Sequence, residues 1–216
     1  MTDGGADAAL VAATEHVARV FRDAPASADE DGCGRCFSET ELLLLRTPGI
    51  AVPRDLAVRV ARKDPLHWDD QPAMIRRVLP AVVRALADGE SEPSQAARGL
   101  AAAGWSAWPT PQSSSIREFL DAWWTATLRR EPGPVHAVEV FEACVVASGE
   151  VLPWLDALDR EARTSDRASR HRDACRDDWQ YELSGGSFVL SAWWCGSFEG
   201  EEAAAAELAR WCATAL

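Results

Sequence analysis

Gln71-Pro72-Ala73-Met74-Ile75-Arg76-Arg77-Val78-Leu79-Pro80-Ala81-Val82-Val83-Arg84-Ala85-Leu86-Ala87 is the stretch that decides the fold of this chain. Its apolar residues Met74, Ile75, Val78, Leu79, Val82, Val83 and Leu86 advance alternately by one and three, which gathers them on one face of a helix. Arg76, Arg77 and Arg84 take the other face. Pro80 lies inside the pattern and removes one backbone hydrogen bond, so a kink or a break into two pieces is expected there.

Working back from this helix, His67-Trp68-Asp69-Asp70 stands at its start. The two carboxylates suit amide capping, and with the imidazole they also make a candidate acid/base set. Pro53 opens a short helix that uses Leu56 and Val60, and Thr47-Pro48-Gly49 ends an earlier one. Ser38-Glu39-Thr40-Glu41 is a capping box ahead of the run Leu42 to Leu45, which places Cys33-Gly34-Arg35-Cys36 just outside a helix start. Residues 23–34 are polar and turn-rich, and residues 7–22 carry Leu10, Val11, Val17, Val20 and Phe21 at helical spacing.

Forward of it, an alanine-rich helix to about 103 leads into a loop over 104–111, and Ser115-Ile116-Arg117-Glu118 is a second capping box. The helix it predicts has an aromatic stripe of Ile116, Phe119, Leu120, Trp123, Trp124 and Thr127. Helical spacing recurs over 136–148, from Pro153 to Ala162, over 165–183 through Ala168, His171, Cys175, Trp179 and Leu183, and over 200–215. Residues 188–195 are rich in aromatic and branched side chains and would suit a strand. They are read as helix because no second strand exists to pair with them. The expected fold is all-α: about ten short helices in antiparallel pairs, an irregular array without a fixed repeat, forming one domain over 1–216 with a candidate sub-division near 104–112.

The net charge of −12 repels phosphate backbones and anionic lipid, and no apolar run approaches the length of a membrane span, so neither nucleic acid nor membrane is an expected partner. Met1 to Asp7 has no basic cluster, and a cytoplasmic location with six reduced cysteines is expected. Between 54 and 84 the sign reverses, with seven basic residues against four acidic ones, a net of +3.

The order Cys33-Gly34-Arg35-Cys36-Phe37-Ser38, Glu41-Leu42 with its leucine run, Trp68-Asp69-Asp70 and Val78-Leu79-Pro80 resembles a family of uncharacterised bacterial helical proteins. These open with a Cys-x-x-Cys-[Val/Phe]-Ser segment and carry a Phe-Leu-Pro helix soon after. Phe119 to Trp124, Leu152 to Leu155, His171 and Ala192-Trp193-Trp194 are similar to that family's second half. The resemblance implies an all-helical fold and no particular activity.

The gap between Cys33 and Cys36 lets both thiolates reach one tetrahedral Zn²⁺ at roughly 2.3 Å. His171 and Cys175, one helical turn apart, make the candidate second pair, with His67 as a substitute third ligand. Because His171 and Cys175 also lie on an apolar stripe, a core role competes with ligation. A redox role for the thiol pair is favoured by the nearby helix start and Arg35 and opposed by Asp29, Glu30 and Asp31, which would raise a thiol pKa. Cys144, Cys195 and Cys212 flank apolar residues and read as packing thiols.

No Gly-rich phosphate loop, Gly-x-Ser-x-Gly elbow or His-Glu-x-x-His pair is present. The expectation is therefore a non-catalytic protein that binds a protein partner. It would do so through a basic face of Arg59, Arg62, Lys63, Arg76, Arg77 and Arg84 or through a tryptophan-lined groove. The alternative is a zinc- or thiol-dependent accessory enzyme centred on Cys33 and Cys36, and a small-molecule binder using Trp123-Trp124 and Trp193-Trp194 stands third.

Overall fold

A computed structural model of the chain describes residues 4–24, 30–131, 135–185 and 201–214. The described residues form ten α-helices and no strand. These are α1 (Gly4–Val20), α2 (Glu39–Arg46), α3 (Arg54–Ala61), α4 (Gln71–Ala87), α5 (Pro93–Ala102), α6 (Thr110–Arg129), α7 (Ala137–Ser148), α8 (Leu152–Ala162), α9 (Asp166–Gly185) and α10 (Glu201–Thr214). Single 3₁₀ turns precede α4 and α6, at Pro65–His67 and Trp105–Ala107. None of the described helices is long and apolar enough to cross a membrane.

The stripe on α4 is buried throughout, from Met74 to Leu86. Of the two outcomes expected at Pro80, the break does not occur: the helix runs unbroken through it, with burial on both sides of the lost hydrogen bond holding it together. A second expectation for this helix needs correction. Arg77 does not share the polar face: it is 8% exposed, and its guanidinium donates to the carbonyls of Leu45 (3.3 Å), Thr47 (2.9 Å) and Ile50. Those carbonyls lie at the C-terminal end of α2 and just beyond it, where a helix leaves acceptors without partners.

The capping box at Ser38 forms, with the Glu41 amide donating to Ser38 Oγ and the Ser38 amide to the Glu41 carboxylate. The one expected at Ser115 does not. Thr110 already begins α6, with Pro111 in its first turn where a missing N–H costs nothing, and Ser115 is buried and donates its hydroxyl to the Gln112 carbonyl. The segment 188–195 lies outside the described residues.

Helices from both sides of the 104–112 connection interleave. α1 packs on α6 and α4, α5 on α7, and α6 also meets α7, α8 and α9. One buried cluster runs from Ala6 to Cys212. Tryptophans fill it, and several satisfy their indole N–H on a neighbouring backbone, Trp124 on Trp154 O at 3.1 Å and Trp105 on Ala147 O at 2.6 Å. The narrow stripe on α9 faces inward as its spacing implies, with Ala168, His171, Cys175 and Trp179 buried.

Candidate metal centre

Cys33 to Cys36 forms a single helix-like turn ahead of α2. The Cys36 and Phe37 amides both donate to the Cys33 carbonyl, at 2.9 and 3.1 Å. A turn of this kind puts side chains three residues apart on the same side, so both thiols look the same way. His67 closes the 3₁₀ turn before α4 and approaches from the opposite segment. Its Nδ1 lies 3.6 Å from Cys36 Sγ, and ligand atoms of Cys33, Cys36 and His67 all lie within 4.8 Å of one another. All three residues are half-buried, which leaves the cluster open to solvent on one side.

Three contacts bring these two segments together. Glu30, 1% exposed, is the first: its carboxylate accepts from the amides of Gly32 (3.0 Å), Asp69 (2.8 Å) and Asp70 (2.9 Å), which ties the cysteine loop to the His67 turn. Phe37 and Trp68, both buried, pack with ring centroids 5.0 Å apart directly beneath. Gly32 is the third. It adopts φ +56, and a Cβ there would lie 2.7 Å from Leu42 Cδ2 and 3.1 Å from Trp68 Cζ3, so only glycine lets the loop come this close. Arg59 then holds the far end by donating to Cys36 O at 3.3 Å and to Glu41 at 2.7 Å, with its guanidinium 5.2 Å from the Phe37 ring.

The electrostatics differ from the sequence expectation. The Cys33 thiol is held down to about 7, chiefly by hydrogen bonding to His67, then by the Arg35 amide and the Cys36 thiol. Glu30 and Asp31 do not push it upward. Glu30 points inward onto three amides, and Asp31 projects to solvent 3.8 Å from Arg46. Asp29 lies outside the described residues. Asp70 caps α4 by accepting from the Ala73 amide at 2.9 Å, and Asp69 accepts from the Asp31 amide at 3.2 Å. Both carboxylates next to His67 are thus engaged with backbone, and the imidazole is left facing the two sulfurs.

His171 and Cys175 do not join this cluster. His171 Nε2 is 3.0 Å from the Arg130 carbonyl at the end of α6, and Cys175 is 1% exposed, with burial pushing its thiol up to about 12. Cys144 and Cys212 are likewise buried, and burial raises both thiols.

Much of the basic face is engaged within the molecule. Arg59 pairs with Glu41, Arg62 with Gln95 at 2.6 Å and Glu92 at 3.5 Å, and Arg76 stacks 4.1 Å above the Trp108 ring. Arg77 is buried, Lys63 is half-buried and Arg84 is exposed. The sequence places Glu30 only among the acids near the thiols and gives no sign of its clamping role. A lone glutamate in an acidic loop carries no local sign that it will be buried against amides some forty residues away. Comparison with protein-family models, with curated proteins and with solved structures finds no match to this chain.

Proposed function

We propose that this protein is a zinc-binding helical accessory protein whose ion is held by Cys33, Cys36 and His67, with a fourth coordination position open to solvent. The observation that carries the reading is the convergence of two thiols and an imidazole within 4.8 Å. For Zn–S near 2.3 Å and Zn–N near 2.0 Å, the sulfur–nitrogen edge of a tetrahedron is about 3.5 Å. Cys36 Sγ and His67 Nδ1 lie 3.6 Å apart, close to that edge. Two thiolates and one imidazole favour Zn²⁺ over oxygen-seeking cations such as Mg²⁺ or Ca²⁺.

Three protein ligands with an exposed fourth position is the pattern of a site that exchanges a water, a substrate atom or a partner's side chain. A protein-binding role through the arginine face has less support, because Arg59, Arg62, Arg76 and Arg77 are already committed to internal contacts.

Elemental analysis of protein purified without a histidine tag tests this reading. Close to one zinc per chain is expected, with loss in Cys33→Ser and in His67→Ala and retention in Cys175→Ser. Wild-type protein that stays metal-free after zinc is supplied, or a Cys33→Ser variant that binds as much as wild type, would refute it.

A further inference from the structure

We infer that Cys33 and Cys36 also form a two-electron dithiol–disulfide couple that reduces disulfides, and that zinc on the same thiolates holds this couple shut. The gate rests on the metal reading above, whereas the couple does not.

The geometry of the turn carries the couple. Residues three apart in a helix-like turn have Cα atoms about 5 Å apart. A disulfide accepts 4.4–6.8 Å, so the bond can close by side-chain rotation with the backbone in place. The sulfurs already lie within 4.8 Å of each other, and both residues are half-buried rather than enclosed. Cys144, Cys175 and Cys212 are 0–3% exposed and sit apart in the helical core, so among the described cysteines only this pair can meet a substrate in solution.

The reaction balances without a further reagent. Cys33 thiolate attacks one sulfur of a substrate disulfide R–S–S–R, the substrate S–S bond breaks, and RS⁻ leaves while a mixed disulfide forms on Cys33. Cys36 then attacks the Cys33 sulfur, the mixed disulfide breaks, and the second RS⁻ leaves. The proton released by Cys36 goes to that leaving thiolate. The protein loses two electrons and the substrate gains them. When zinc is bound, both thiolates are ligands, so the same reaction must expel one Zn²⁺ per disulfide formed.

The test uses the full chain, reduced and stripped with a chelator, and glutathione disulfide as the probe. Peptide mass mapping of the stripped protein should find a Cys33–Cys36 disulfide. Cys36→Ser should instead accumulate glutathione on Cys33, and the Cys33→Ser/Cys36→Ser double variant, with helix content unchanged, gives the background from the other four cysteines. Stripped wild type that keeps both thiols, or that holds a stable glutathione adduct on Cys33 without closing the disulfide, overturns the couple. Adding zinc to about 100 times its dissociation constant should slow disulfide formation about 100-fold, because only the metal-free fraction reacts. Equal rates with and without zinc in a protein that demonstrably binds the ion overturn the gate. Failure to take up zinc at all removes the metal reading and the gate together, and disulfide closure in that same protein upholds the couple.

Discussion

Replacing Glu30 by glutamine removes one of the two oxygens through which this buried side chain binds three amides. One oxygen of Glu30 accepts from Gly32 and Asp69, the other from Asp70. Glutamine keeps an acceptor for the first pair but turns an NH₂ group toward the Asp70 amide, donor against donor. A hydrogen bond to a charged group contributes about 1.5–3 kcal/mol, and the opposed donors add to its loss, so the variant should lose about 2–4 kcal/mol. For a chain of this size each kcal/mol moves the melting temperature by about 2–4 °C, which gives a drop of roughly 5–15 °C. Thermal unfolding followed by circular dichroism, on chelator-treated protein so that metal does not contribute, measures it. Zinc affinity measured in parallel should fall as the cysteine loop detaches from the His67 turn. A stability change under about 0.5 kcal/mol, the range of an ordinary surface substitution, would refute the clamp.

Three further outcomes follow from the site and its supports. In metal-free protein, alkylation of Cys33 by iodoacetamide, mapped by mass spectrometry, should reach half its limiting rate near pH 7, and His67→Ala should shift that midpoint upward; a wild-type midpoint near 9 would exclude the hydrogen bonding inferred for Cys33. Glu41 is held down to about 2, first by its hydrogen bond to Arg59 and then by Ser38. Its folded value is thus depressed below the ordinary 4.5, so its contribution is present above about pH 4.5 and is lost as pH falls toward 2. Arg59→Met should flatten that part of the stability–pH profile in urea titrations. Arg77→Met strands the three carbonyls that its guanidinium serves and should cost about 2–4 kcal/mol in the same assay, more than any change at exposed Arg84.

The helical architecture was readable because its signals are local. The Ser38 capping box, the face of α4 and the inward stripe of α9 each depend on residues within a few positions of one another, and each forms as its spacing implies. Errors arose where a local rule met a stronger neighbour. Ser115 has the chemistry of a cap, but Pro109 and Pro111 allow the helix to begin a turn and a half earlier. Arg77 has the charge of a surface residue, but the open carbonyls at the end of α2 draw it inward. At the site, the Cys33/Cys36 pairing was legible from spacing, and His67 was recognisable as a ligand type. Its place beside the thiols, ahead of His171 and Cys175, was not. That choice depends on the Glu30 clamp and the Phe37–Trp68 contact, which join segments more than thirty residues apart and leave no periodic trace.

Glu30 also changes what a metal would mean for this chain. Many small zinc modules are unfolded until the ion arrives, because it alone closes the loops between their ligands. Here the carboxylate already closes that loop, bridging residues 39 and 40 positions away, while the ligands Cys36 and His67 are 31 apart. The entropy of bringing the ligands together is therefore lost at folding, not at loading. The ion meets a preorganised site, and chelation should empty it while leaving the helices folded. A metal bound there would come and go as an exchangeable ligand, and the thiols it left behind would stay side by side in a native protein.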